Sequence, residues 1–312
     1  MQINFRLLPV LTLAVFATFT SCKKDSNPAS SDSSTELAAH SDDQNTVSTQ
    51  VDAVSNDVNI AIEGSAAYTG RLQGSLGTIC DANVQFDSTS TPKKITITYD
   101  GTTSCNASYS RTGTVVVSMA SGVHWKDQGA QITVTYQNLK VKRTSDNKSL
   151  SLNGSHTITN VSGGLLWTLL LHQVQSITHT VAGDLTISFD DNSQRAWHVA
   201  TRRVFTHDGH FVLTVTGDKV IGSTEGVAEW GINRFGHEFT TSITQPLVFR
   251  EDCLYRLTAG TVKHEGFGTA TATFGLDANG TPISCPGAAG HYYMKLTWTG
   301  PNGASASATL PY

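Results

Sequence analysis

The sequence predicts an all-β fold, an antiparallel sandwich or strongly curled sheet of a dozen or more strands, preceded by one short N-terminal amphipathic helix. Three observations carry that expectation. Beyond Gly64 apolar residues recur at every second position: Ile95, Ile97 and Tyr99 alternate with Thr96 and Thr98, and Ile132, Val134 and Tyr136 alternate with Thr133 and Thr135. One apolar face and one threonine-coated face is the pattern of antiparallel strands that are wet on one side. Turn signals cut the chain at short intervals, at Asp100-Gly101, Asn153-Gly154, Asp190-Asp191-Asn192, Asp208-Gly209, Asn279-Gly280 and Asn302-Gly303, each of them a hairpin cue. Finally, no segment after residue 64 has the length and period of a crossover helix.

Taken in order, the chain opens with Arg6 and a nearly uncharged apolar run from Leu7 to Phe19. That run is short for a bilayer span and right for a signal-peptide core. Ser21 then stands directly before Cys22, an arrangement similar to the lipobox of a bacterial lipoprotein, in which the cysteine thiol is diacylated and becomes the new N-terminus. Residues 1–21 are therefore expected to be a lipoprotein signal peptide and Cys22 the lipidation site, a palmitate-type anchor whose two or three chains give stable membrane attachment. Residues 22–40 are Ser, Asp, Asn, Pro and Ala with little to bury, which predicts a disordered tether. Ser41 and Gln44 have the form of a capping box, and Val47, Val51, Val54 and Val58 recur at helical spacing, predicting an amphipathic helix over 41–63. Its stripe is narrow and β-branched, so the helix must dock to persist. The all-β domain then fills 64–312. A weak echo, with one strand before and one after the second cysteine of each pair, raises two related halves at about 64–160 and 161–312.

Composition removes whole classes of function. Twenty-one basic residues against 25 acidic ones give a net charge of -4 without a basic block, so there is no electrostatic footprint for nucleic acid. No apolar run after Phe19 approaches a membrane span, the nearest being Leu165 to Leu171. Beyond Cys22 four cysteines remain, Cys80, Cys105, Cys253 and Cys285, an even number that predicts two disulfides in an exported chain. Three connectivities are open, and the near pairs Cys80–Cys105 and Cys253–Cys285 are the local solution. A thiolate metal site would need partners two to four residues away, which none of the four has.

Among eleven histidines, His207-Asp208-Gly209-His210 is the foremost lead towards catalysis. With Asp208-Gly209 as a two-residue turn, His207 and His210 would face each other across a hairpin, within reach of one metal. A third ligand would have to come from another strand, with His198 and His237 unassigned. Glu225 and Glu229 share one face of a strand but stand about 13 Å apart, beyond the separation glycoside hydrolysis uses. Glu238, Glu251 and Glu265 are isolated, and the sequence has no Gly-x-Ser-x-Gly elbow, phosphate loop or HExxH helix. The expectation is a non-enzymatic chain without a metal or other cofactor. Trp125, Trp167, Trp197, Trp230 and Trp298 read as core fillers before they read as sugar platforms. His291-Tyr292-Tyr293 is harder to bury on both faces of one strand, which makes Tyr292 and Tyr293 the candidate ligand-binding aromatics.

Lys94-Ile95-Thr96-Ile97-Thr98-Tyr99-Asp100-Gly101, Cys105, Arg111-Thr112-Gly113-Thr114-Val115-Val116-Val117 and Asn153-Gly154-Ser155-His156-Thr157-Ile158-Thr159-Asn160 resemble an uncharacterised family of outer-membrane-associated lipoproteins of Bacteroidetes. The helix and the second cysteine pair fit the same family. The resemblance implies a lipid-anchored protein on the periplasmic or outer face of an outer membrane, and it implies no activity. Three functional expectations stand in order. The first is an envelope lipoprotein whose β-domain serves structure or binds an envelope protein. A carbohydrate-capturing surface lipoprotein holding polysaccharide comes second, and a metal-dependent hydrolase using His207 and His210 third.

Overall fold

The computed structural model describes residues 28–70, 79–103, 108–266, 268–286, 290–300 and 302–312. The expected signal peptide, Cys22 and Cys105 lie outside the described residues. Helix α1 spans Pro28–Glu63, so it starts well before Ser41, and residues 28–40, assigned by composition to a disordered tether, are helical. The physical reason is tertiary: Glu36 and His40 are buried, at 8% and 2% exposure, and such contacts override weak intrinsic propensity. Ser41 is thus in mid-helix and caps nothing. A short helix α2, Ala66–Thr69, follows and ends at Gly70 in the left-handed conformation.

The rest is strand: β1 Ala82–Asp87, β2 Lys93–Asp100, β3 Tyr109–Met119, β4 Ala130–Arg143, β5 Ser149–Asn160, β6 Ser176–Phe189, β7 Gln194–His207, β8 Phe211–Gly217, β9 Lys219–Ile221, β10 Thr224–Ile232, β11 Glu238–Arg250, β12 Arg256–Gly266, β13 Gly268–Leu276, β14 Tyr293–Thr299 and β15 Ser305–Pro311. A third helix, α3 Leu166–Leu170, lies between β5 and β6. All fifteen strands belong to one sheet, in the order β1 to β7, then β10 to β15. Strand β8 fits beside β10 in the slot between β7 and β11, and β9 pairs with β10. Of the two architectures expected, the single curled sheet is therefore the one formed, and the sandwich is not. The proposed boundary at residue 160 falls between β5 and β6, which pair along the length of β5 from Leu150 to Asn160, so the two halves share one sheet.

Curl follows from what α1 touches. Its side chains bond to Tyr99 of β2, Arg111 of β3, Arg143 of β4, Arg203 of β7, Glu229 of β10 and Thr241 of β11, so the sheet must wrap round it. Val47, Val51, Val54, Val58, Ala61 and Ile62 fill the concavity against Ile95, Ile97, Val115, Val117, Ile132, Val134, Leu152, Val181, Leu185, Trp197 and Phe239. The period-two reading holds at each strand it was made for: Ile95, Ile97, Tyr99, Ile132, Val134 and Tyr136 are all buried. Tight curl demands close backbone approach. A Cβ on Gly183 would stand 2.3 Å from the Cα of His156, its partner across β5 and β6. Gly113, with φ +111°, sits at a register shift between β3 and β4 and would meet the carbonyl of Asn138 at 2.3 Å. Glycine is the residue that fits both places.

The main core ends at Phe239 of β11. Farther along the sheet Val262, Ala270, Ala272, Leu296 and Trp298 are only half-buried. Cys253 and Cys285 form a disulfide with Cα atoms 5.1 Å apart, tying the turn before β12 to the connection between β13 and β14. Cys80 is also disulfide-bonded; Cys105, the partner the sequence suggested, lies outside the described residues.

Candidate functional site

The chemistry-bearing side chains converge on the seam between α1 and the sheet. Four aspartates of the helix each meet an arginine from a different part of the sheet. Asp42 takes both terminal nitrogens of Arg143, at 2.5 and 2.8 Å. Asp43 binds Nε and Nη2 of Arg234 in the β10–β11 turn, at 2.7 and 2.6 Å. Asp52 accepts from Arg203 at 2.5 Å. Deepest is Asp57, which accepts from Arg111 at 2.8 Å and from the Tyr99 hydroxyl at 2.8 Å. Arg111 also forks onto Asp81 at 2.8 and 2.7 Å. Burial lifts the Asp57 carboxyl above the usual carboxylate range, against the pull of Arg111 and Tyr99. Such pairs are charge-assisted and directional, and breaking one would strand a buried charge.

Beside them lies a knot of polar groups around Glu229. Its Oε1 accepts from Ser48 Oγ at 2.6 Å, and its Oε2 accepts from Gln44 Nε2 at 3.2 Å and Trp197 Nε1 at 3.3 Å. Gln44 also donates to Thr241 Oγ1 at 2.6 Å, and that hydroxyl lies 2.9 Å from His264 Nδ1. Thr241 Oγ1 thus links Gln44 to the His264 ring. Burial pushes the Glu229 carboxyl up to about 7 and the His264 ring down to about 4. The His40 ring lies 4.8 Å from that of His264 and 4.5 Å from that of Phe239, and both its nitrogens are buried without a partner. Burial first, and the neighbouring His264 second, holds it at about 3. Towards the start of the helix, Glu36 accepts from Asn233 at 2.8 Å and lies 2.6 Å from His237 Nδ1.

This arrangement can hold a helix and can take up or release a proton near neutrality. One surface cleft borders the seam, lined by Asp42, Asp43, Arg143 and Arg234, and another is lined by His172, His207 and Asp208; Glu229 is in the wall of neither.

The histidine hairpin differs from its expected geometry. His207 pairs with Phe211, not with His210. Asp208, Gly209 and His210 form a three-residue connection in which the Asp208 N–H faces the His210 carbonyl at 3.3 Å. One residue more than a two-residue turn shifts the register and takes His210 out of opposition. The His207 ring instead lies 5.2 Å from His172. His198 sits 2.6 Å from Asp184 and stacks on Trp230, while His237 joins Glu36, so the suggested ligands are dispersed. Among the described residues the one grouping of three or more ligand atoms within 4.8 Å of one another is Asp252, Cys253 and Cys285, and its sulfurs form the disulfide. Glu225 and Glu229 do not share a face either: the β10–β11 register shifts between Val227 and Glu229, leaving Glu225 exposed and Glu229 in the seam.

The aromatic patch is corrected as well. Tyr292 is 0% exposed, stacked 5.9 Å from Tyr312 with the Arg256 guanidinium over its ring. It precedes β14 and is pinned there by the Tyr312 N–H on its carbonyl, so strand alternation does not turn it outwards. Tyr293 is half-buried on β14. Trp125 and Trp197 are core, and Trp167, Trp230 and Trp298 are half-buried. The residues that matter most in the seam, Glu229 and His40, were not singled out as partners by sequence. The only signal was a run of helix aspartates, which by itself reads as a solvated face.

Compared with protein-family models, with curated proteins and with solved structures, the chain finds no match in any of the three.

Proposed function

We propose that the chain is a lipid-anchored envelope lipoprotein of an outer membrane, on its periplasmic or outer face, with a β-domain that is a non-enzymatic structural or partner-binding module. The observation that carries this reading is the junction of address and fold. Cys22, preceded by Leu7 to Phe19 and by Ser21, stands six positions ahead of Pro28, the first residue of α1. An acyl group there would hold the start of the helix within roughly 20 Å of the bilayer, and α1 is itself bonded into the sheet through its Asp–Arg pairs. The resemblance to Bacteroidetes lipoproteins points the same way. Support for a module rather than a catalyst comes from the seam, whose Asp–Arg pairs are engaged in holding α1.

Labelling with an alkyne palmitate analogue in the native cell tests the address. Label on the wild-type chain and none on Cys22→Ala is the expected result; an unlabelled wild-type chain, or an intact start at Met1 by mass spectrometry, would contradict it. Cross-linking in the native envelope then assigns the role, with a reproducible protein partner expected and bound polysaccharide the contrary outcome.

A further inference from the structure

Strand β15 is the last of the sheet and pairs with β14 alone. Its free side can be read residue by residue. The Tyr312 N–H bonds to the Tyr292 carbonyl and the Gly300 N–H to the Ala304 carbonyl, and the register between them is unbroken from Tyr293↔Pro311 to Thr299↔Ser305. In an antiparallel ladder bonded pairs alternate, so Ala306, Ala308 and Leu310 direct their backbone groups to β14. Ser305, Ser307 and Thr309 therefore direct theirs outwards, and Pro311, which has no N–H to offer, falls on the same outward side.

Natural sheets blunt such an edge with charge, a bulge or a cover. Among the described residues the last strand has none of these, and its one edge proline, Pro311, stands at its very end: Leu296 to Tyr312 contains no charged side chain, the β14–β15 register has no shift, and residues 305–309 are all exposed. The other edge is different, since β1 ends in the exposed Asp87.

We propose that β15 is a docking edge for a second copy of this chain, the two strands pairing antiparallel about a two-fold axis at Ser307. In that register Ser307 faces Ser307 of the second copy and Ser305 faces Thr309, so every outward N–H of the strand finds a carbonyl, about six hydrogen bonds in all. The ladder stops on each side where Pro311 meets Gly303, whose N–H already bonds to Gly300. A chain of net charge -4 meets itself here without like charges in contact. Two-fold pairing also closes, whereas β15 against β1 of a neighbour would run on as an open filament. The proposal does not depend on acylation of Cys22.

A cysteine at the axis tests it in the full chain. Across a bonded antiparallel pair the Cα atoms are about 5.5 Å apart, inside the range a disulfide spans, whereas two copies of residue 305 would be about 14 Å apart. Ser307→Cys should give a covalent homodimer under mild oxidation, and Ser305→Cys should not. Ser307→Pro removes an outward N–H without touching the β14 ladder and should convert the dimer seen by sedimentation velocity to monomer with an unchanged circular dichroism spectrum. Absence of the Ser307→Cys homodimer, equal cross-linking through Ser305→Cys, or cross-linking solely to another protein would overturn the proposal.

Discussion

Replacing Glu229 by Gln should make the protein markedly more stable in mild alkali and change it little in mild acid. The Glu229 carboxyl titrates at about 7 in the fold, raised from 4.5 chiefly by burial and further by Asp52, against the opposing hydrogen bonds of Ser48, Gln44 and Trp197. A folded value above the unfolded one means that the fold prefers the protonated form. Its contribution is fully present below about pH 4.5 and is lost as pH rises through 7. At about 1.4 kcal/mol per unit, a displacement of this size corresponds to roughly 3 kcal/mol withdrawn from the native state above pH 7. Glutamine preserves the geometry, because its oxygen can accept from Gln44 and Trp197 while its amide donates to the Ser48 hydroxyl, which accepts equally well. Urea unfolding followed by tryptophan fluorescence at pH 5 and pH 8 reads the difference. Glu229→Gln should lie within about 1 kcal/mol of the wild type at pH 5 and exceed it by about 3 kcal/mol at pH 8. Equal stability of the two proteins at both pH values, or a variant weaker at pH 8, would refute a buried carboxyl at this seam.

Three further perturbations probe the same architecture. His156 is fully buried with both nitrogens unpartnered, and burial, helped by Arg203, holds it at about 3. Its stability contribution is present above the unfolded value near 6.5 and is lost as pH falls, so His156→Leu should gain about 2 kcal/mol on the wild type between pH 7 and pH 5; parallel acid-unfolding curves would contradict this. Arg111→Met leaves Asp57 and Asp81 unpaired and should cost about 3 to 5 kcal/mol. Adding Asp57→Asn and Asp81→Asn should recover most of it in the same urea assay, and a triple variant as weak as the single one would dispute the pairing. Gly183→Ala drives a Cβ into the His156 backbone and should cost about 2 kcal/mol or more, whereas Gly122→Ala, which opens into free space but has φ +80°, should cost about 1 kcal/mol. Equal thermal shifts would show that β5 and β6 are less close than described.

Where a residue's position depends on its near neighbours, the sequence was readable. Ile95, Ile97 and Tyr99 point inwards because strand geometry has period two, and Val47, Val51, Val54 and Val58 line one side of α1 because helix geometry has period 3.6; all seven are buried. Where position depends on distant chain, it was not. Residues 28–40 look unfit for a helix until Asn233 and His237 arrive to bind Glu36, and Asp43 looks solvated until Arg234 forks onto it. One residue of loop length was enough to displace His210, and a bulge separated Glu225 from Glu229. Tyr292 was misplaced because its burial is set by Tyr312 and Arg256, neither of which local alternation can place. That the curled sheet closes round the helix also escapes a local reading, since the aspartates of α1 and the arginines that receive them are far apart in the chain.

Hydrogen exchange through α1, read by mass spectrometry on the native protein, tests most directly the claim that the segment next to Cys22 is an integral part of the β-domain. Amides from Asp43 to Ile62 should exchange as slowly as those of β3 to β6 and open with them in a single cooperative step. Exchange of the helix at the rate of an unstructured peptide, while the strands stay protected, would contradict the account.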